Sequence, residues 1–235
     1  MISRLTKLGV VLAVFGLMFV AAGGYAYLKV MDGQKALNAF SSAQAVNLAY
    51  NDQGQLTSGG TTDEADAIMG MLTNDWGYTV DKSEFNPADP TVNTASEYMF
   101  QMATISYHVL HSTQNITLTV DYTAADGTFY AAGTPIPFDV SGRYYSQFDR
   151  TDPVQAAARG LAWSPTALGL IGQLGVGAVT ASSLQMGLGV AATVGGLGLV
   201  FFICGIGLAW AVRPETARVK VRALKPAMAA AQPAG

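Results

Sequence analysis

The stretch LGVVLAVFGLMFVAAGGYAYL, residues 8–28, contains no charged side chain over 21 positions. A second uncharged stretch, residues 161–212, is 52 residues long. A helix needs about 20 apolar residues to cross a bilayer, so each stretch is long enough for at least one membrane span. The two stretches decide the fold class, because they predict two transmembrane helices with the rest of the chain arranged around them.

The second stretch is too long for a single span. One helix over residues 166–212 would extend about 70 Å, whereas the hydrocarbon core of a bilayer is about 30 Å thick. Two complete spans would move the basic residues that follow to the outer side of the membrane, against the charge rule. We therefore predict an apolar juxtamembrane helix at residues 166–183 and a transmembrane helix at residues 184–212. The juxtamembrane helix must be covered by lipid headgroups, the neighbouring domain or a partner protein.

Charged residues are distributed unevenly around these stretches. Residues 1–7 carry two basic residues, and residues 213–235 carry five basic residues and one acid, whereas residues 29–159 carry 15 acids and six bases. Because basic flanks stay in the cytoplasm, both termini are predicted to be cytoplasmic and the acidic segment to lie outside the bacterial plasma membrane. A cleaved signal peptide at residues 8–28 is the alternative, and it would leave the domain on the same side. The acidic segment gives no reason to expect nucleic acid as a partner.

Residues 29–165 are predicted to form an extracytoplasmic α+β domain, and residues 213–235 a basic, disordered cytoplasmic tail. Residues 63–74 and 94–112 have the pattern of the two main helices. A hairpin at residues 45–56 and β-branched segments on either side of the turn TAADG predict a small antiparallel sheet. The single cysteine of the chain lies in the second span, so no disulfide stabilises the domain.

The first span contains small residues along one helical face. Gly9, Ala13, Gly16 and Gly23 follow the spacing of three and four that keeps side chains on one side of a helix. Small residues allow the backbone of a second helix to approach closely within lipid. The predicted partners are therefore the lipid bilayer and a helix, either the second span, another membrane protein or a second copy of the chain.

The predicted helix SEYMFQMATISYHVLH contains both histidines of the chain. On a helical wheel Met99 and Met102 fall on the apolar face, whereas Glu97, His108 and His111 fall on the polar face, which excludes a combined methionine and histidine copper site. His108 and His111 alone are neighbours at i and i+3 and could bind copper or zinc with a third ligand from elsewhere. Two surface histidines are the alternative. No other residue is predicted to be catalytic or to bind a cofactor.

A resemblance to known proteins rests on four sequence segments: NDWGY, NTASEYMFQMATISYHVLH, FDR and LIGQLGVGAVTASSLQ. Over nearly its whole length, the chain resembles a group of small two-span actinobacterial membrane proteins. Members of this group are often described as aromatic ring-opening dioxygenases, so the resemblance implies the two-span architecture and, under that description, iron-dependent ring opening. Extradiol iron is bound by two histidines and a carboxylate. Here Glu97 lies about 16 Å from His108 along a straight helix, so these residues do not form one such triad.

Three functions follow as hypotheses. The first is a non-catalytic integral membrane protein that presents an acidic extracytoplasmic domain and acts as an accessory or assembly subunit of a larger membrane complex. The second is an extracytoplasmic copper- or zinc-handling protein that uses His108 and His111. The third is the ring-opening dioxygenase that the resemblance implies.

Overall fold

The computed structural model describes residues 2–211, so the predicted tail at residues 213–235 lies outside the described residues. The described chain is mostly helical, with two long apolar helices and a small antiparallel sheet region. It divides into two compact units. Residues 2–35 and 183–211 form the first, called here the helix-pair unit, and residues 36–182 form the second, the domain unit.

Helix α1 spans Ile2–Gln44 and is therefore longer than the predicted span at residues 8–28. Residues 29–44 contain no proline, and half of them are lysine, glutamine, alanine or leucine, which favour a helix. The helix ends where Ala45 adopts the left-handed conformation with φ of 51°. Helix α1 is long and apolar enough to cross a membrane.

Helix α5 spans Pro165–Ala211 without a break, so the predicted division into separate helices at residues 166–183 and 184–212 was wrong. Pro165 opens the helix, a position where its missing N–H is not needed. No further proline occurs before Pro214, and the intervening glycines weaken a helix without removing its hydrogen bonds. Helix α5 is also long and apolar enough to cross a membrane. Its two halves belong to different units rather than to different helices.

Helix α2 spans Thr62–Gly70 and continues through a π-helical turn at Met71–Asp75, which together cover the predicted helix at residues 63–74. Its N-cap is Thr61, whose hydroxyl oxygen accepts a hydrogen bond from the Glu64 N–H at 3.2 Å. Acidic residues in the first turn add a favourable interaction with the helix dipole.

Helices α3 and α4 both begin at residues with capping side chains. Helix α3 spans Ala95–Leu110 and begins after Thr94, which forms a reciprocal capping box with Glu97. Helix α4 spans Pro153–Ala162, and the carboxylate of Asp152 accepts hydrogen bonds from the first N–H groups of that helix.

The sheet region consists of three antiparallel pairs rather than the single small sheet that was predicted. The longest pair, β3 (Thr113–Thr117) with β6 (Pro135–Asp139), contains Pro135 and Pro137, which have no N–H to donate and limit extension of the sheet beyond β6. Ile116 and Ile136 face each other in this pair and are buried in the domain core, as are Leu72 and Phe100 of the helical region. The pairs are β1 Ala49–Tyr50 with β2 Leu56–Thr57, β3 Thr113–Thr117 with β6 Pro135–Asp139, and β4 Tyr122–Thr123 with β5 Phe129–Tyr130.

Candidate functional site

The small residues predicted to line one face of α1 lie against α5 within the helix-pair unit. A Cβ atom built at Gly9 would lie 2.7 Å from the carbonyl oxygen of Gly205, and one built at Gly23 would lie 2.6 Å from the backbone nitrogen of Gly195. Real Cβ atoms do not approach backbone atoms so closely, so the two helices touch through backbone at these points. We call the set the glycine seam; its members are Gly9, Ala13, Gly16 and Gly23.

Helix α5 contributes glycines of its own to this contact. A Cβ atom at Gly205 would lie 2.6 Å from the carbonyl oxygen of Gly9, and one at Gly198 would lie 2.8 Å from that of Gly16. Sequence reasoning did not single out either glycine. Their separation of seven residues was the available signal, since it keeps two positions on one face of a helix.

The two histidines have different partners in the structure. His108 Nε2 lies 2.5 Å from Glu64 Oε1, so it joins α3 to α2. His111 Nδ1 lies 2.8 Å from the carbonyl oxygen of Tyr107 in its own helix, and its ring lies 4.0 Å from the Tyr107 ring, centroid to centroid. Across residues 2–211, no group of three or more histidine, cysteine, aspartate or glutamate side chains is arranged to hold a metal ion.

Glu97 occupies a different environment from the one predicted. The helical wheel placed it on the polar face beside the histidines, whereas the structure buries it to 1% exposure. Its Oε2 atom accepts hydrogen bonds from the N–H groups of Asn93 and Thr94, each at 3.0 Å. The prediction failed because a residue in the first helical turn faces the chain that leads into the helix, which a wheel does not represent.

Burial dominates the electrostatics around Glu97. Loss of solvent raises the pKa of the Glu97 carboxyl, although the hydrogen bonds from Asn93 and Thr94 act in the opposite direction. Burial also raises the pKa of the Tyr50 hydroxyl, and the negative charge of Glu97 adds to that shift. The structure therefore contains a buried carboxyl that serves a helix start, not one presented to a substrate.

The first half of α5 has one face packed in the domain unit and another exposed. Gly177 lies directly under the Tyr98 ring of α3, where an added Cβ atom would be 2.5 Å from Tyr98 Cε1. On the other side Leu168, Val176 and Val179 are exposed by 41%, 68% and 67%. We call these three residues the outer stripe. The domain thus covers only part of the apolar helix surface.

The domain unit is strongly acidic apart from this helix. Residues 36–182 contain 14 acidic and four basic residues, whereas residues 165–182 contain no charged residue at all. The unit therefore combines an acidic surface with an uncharged, apolar outer stripe. A contiguous exposed apolar surface on an otherwise polar domain is typical of contact with a protein or with lipid.

No protein-family model, curated protein or solved structure matches this chain significantly.

Proposed function

We propose that the protein is a non-catalytic, two-span membrane protein that presents an acidic domain outside the plasma membrane and acts as an accessory or assembly subunit of a larger membrane complex. The observation that supports the proposal most strongly is the exposed outer stripe. Its side chains belong to the domain unit, yet 41% to 68% of each remains exposed. A partner subunit that packs on the stripe would remove this apolar surface from water.

The charges support the proposed placement. The basic residues in the first two turns of α1, Arg4 and Lys7, and those after α5 favour a cytoplasmic position for both termini, and the acidic domain unit between them is then outside. The close backbone contact along the glycine seam supports the two-span arrangement, because packing of small residues is a principal source of helix association in lipid.

A purification experiment tests the proposed role. Full-length tagged protein is extracted from membranes in a mild detergent, and its partners are quantified by mass spectrometry. We expect one membrane protein to co-purify in stoichiometric amount with the wild-type chain. Val179→Glu places a charge within the stripe and should reduce recovery of that protein roughly tenfold or more, because the charge would be buried without a partner.

Val120→Glu is the matched control. Val120 is 62% exposed, close to the 67% of Val179, but it lies in the bend after β3 and outside the stripe. This variant should recover the partner as the wild type does. A monomer without a stoichiometric partner, or equal recovery with both variants, contradicts the proposal. Co-purification of differently tagged copies of this chain alone would replace the accessory role with self-association.

A further inference from the structure

A groove runs along the end of α1 and the first half of α5, within the domain unit. Its inner end is a cavity of about 170 Å³ between these helices and α3. An apolar cavity of about 150 Å³ is large enough to hold a benzene-sized molecule, so this one has room for part of a hydrocarbon ligand. Most of the wall is formed by apolar side chains, namely those of Phe40, Val46, Val92, Ile105, Leu170 and Leu174.

The groove continues from this cavity along the helices. A second, more open cavity of about 370 Å³ shares Phe40 and Gln173 with the first and extends along α5 as far as Thr180. Val176 of the outer stripe forms part of its wall. From Leu170 to Thr180 the helix rises about 15 Å. A path of that length with apolar walls fits an extended hydrocarbon chain better than a compact ring.

The lining of the groove carries no charge. Neither cavity has an acidic residue, a basic residue or a histidine in its wall, although the domain unit around it is strongly acidic. A charged ligand would lose its hydration in the groove without gaining an ion pair in return, which is unfavourable. A neutral ligand does not have this cost. The chemistry of the wall therefore selects an uncharged occupant.

The polar residues in the wall of the inner cavity are three glutamines, Gln44, Gln101 and Gln173, and the hydrogen-bonded pair Ser41 and Tyr98. The Ser41 hydroxyl donates its only hydrogen to the carbonyl oxygen of Leu37 at 2.9 Å. The Tyr98 hydroxyl lies 2.6 Å from Ser41 Oγ and must then be the donor in that contact. The Tyr98 oxygen keeps its capacity to accept a hydrogen bond, so it matches a ligand that brings a hydroxyl or amide N–H.

We propose that this groove binds the hydrocarbon chain of an uncharged membrane lipid that carries a hydroxyl or amide donor, with the donor placed at the Tyr98 oxygen. The groove is formed by α1 and α5, the two helices long and apolar enough to cross a membrane, which favours a lipid as the occupant. This assignment goes beyond the accessory role and does not require it.

Photolabelling tests the proposal. The full chain is reconstituted in phosphatidylcholine nanodiscs and irradiated with a 1-decanol analogue that carries a diazirine in its chain. We expect labelled peptides from residues 36–46 and 165–182. Unlabelled 1-decanol should suppress this labelling, and decanoate or decyltrimethylammonium should do so at least tenfold less effectively, because each brings a charge into the uncharged groove.

Two variants separate binding in the groove from general contact with lipid. Leu170→Trp fills the inner cavity and should reduce labelling of these peptides roughly tenfold. Leu161→Trp adds the same side chain at the end of α4, at a position that lies outside the outer stripe, lines neither cavity and is similarly exposed, 54% against 43% for Leu170. It should label as the wild type does.

A third variant tests the hydrogen bond. Tyr98→Phe keeps the ring over Gly177 and removes the acceptor, so it should weaken competition by 1-decanol roughly fivefold while leaving competition by decane unchanged. Equal competition by the charged amphiphiles, equal labelling of the two tryptophan variants, or labelling confined to residues 2–35 and 183–211 would overturn the proposal.

Discussion

Replacing Gly23 with leucine is expected to lower the free energy of unfolding of the helix-pair unit by about 3 kcal/mol. A Cβ atom at Gly23 would lie 2.6 Å from the nitrogen and 2.7 Å from the Cα of Gly195, and 2.9 Å from the carbonyl oxygen of Ala191. All three are backbone atoms of a helix and cannot rotate away as a side chain can. The leucine therefore has to push α1 and α5 apart, which also loosens their packing at neighbouring positions of the glycine seam.

The neighbouring glycine provides the control for this variant. A Cβ atom at Gly24 would meet nothing within 4 Å, so Gly24→Leu makes the same chemical change one residue further along without a clash. Thermal unfolding of the full chain in detergent, followed by tryptophan fluorescence, compares the two. The transition temperature should fall by roughly 10 °C for Gly23→Leu and should hold or rise for Gly24→Leu. Equal transition temperatures would show that the seam does not hold these helices together.

Two substitutions of Glu97 are expected to distinguish the effect of its hydrogen bonds on stability from the effect of its charge. Glu97→Ala leaves the N–H groups of Asn93 and Thr94 without their acceptor in a buried site and should lower the free energy of unfolding by about 3 kcal/mol. Glu97→Gln keeps an oxygen that can accept both bonds and remains compatible with the capping box. It should therefore be at least as stable as the wild type at neutral pH.

The pH dependence of the same variants reports the buried charge. Because burial raises the pKa of Glu97 in the folded protein above its ordinary value of 4.5, the folded chain binds this proton more tightly than the unfolded chain. The contribution of Glu97 to the free energy of unfolding is fully present below pH 4.5 and is lost as the pH rises through the pKa of Glu97 in the folded protein. The difference in transition temperature between Glu97→Gln and the wild type should therefore grow above pH 4.5. A constant difference across this window contradicts the assigned pKa shift.

Elements determined by nearby residues could be predicted from the sequence. The start of α3 is an example, because Thr94 and Glu97 form a capping box within a single turn, and the predicted helix at residues 94–112 agrees with the observed Ala95–Leu110. The hairpin around TAADG is likewise local, and its short strands pair as β4 and β5, although the preceding strand β3 pairs with the more distant β6 and not across this turn. Both patterns contain all the interacting residues within a few positions.

Features that depend on distant residues could not be predicted in the same way. The backbone contact between Gly9 and Gly205 joins positions far apart in the chain, so the spacing of small residues in α1 could indicate a packed face but not what packs on it. The contact between His108 and Glu64 crosses 44 positions. The spacing of residues along one helix does not indicate which distant residue will contact them.

The continuity of α5 shows a different limit. Its division into two helices was inferred from the thickness of a bilayer, whereas helix continuity depends on hydrogen bonds that no residue between Pro165 and Pro214 removes. A membrane constrains which part of a helix lies in lipid and does not require the helix to end there. The boundary between the two units, near residue 182, thus falls within an unbroken helix.

The most direct test of the account is the membrane orientation of the domain unit. In a Cys204→Ser background, single cysteines are introduced by Val120→Cys in the domain unit and by Ser3→Cys near the N-terminus, and spheroplasts are treated with a membrane-impermeant maleimide. We predict that Val120→Cys is labelled in intact spheroplasts and that Ser3→Cys is labelled only after permeabilisation. Labelling of Val120→Cys only after permeabilisation would place the acidic domain in the cytoplasm and contradict the account.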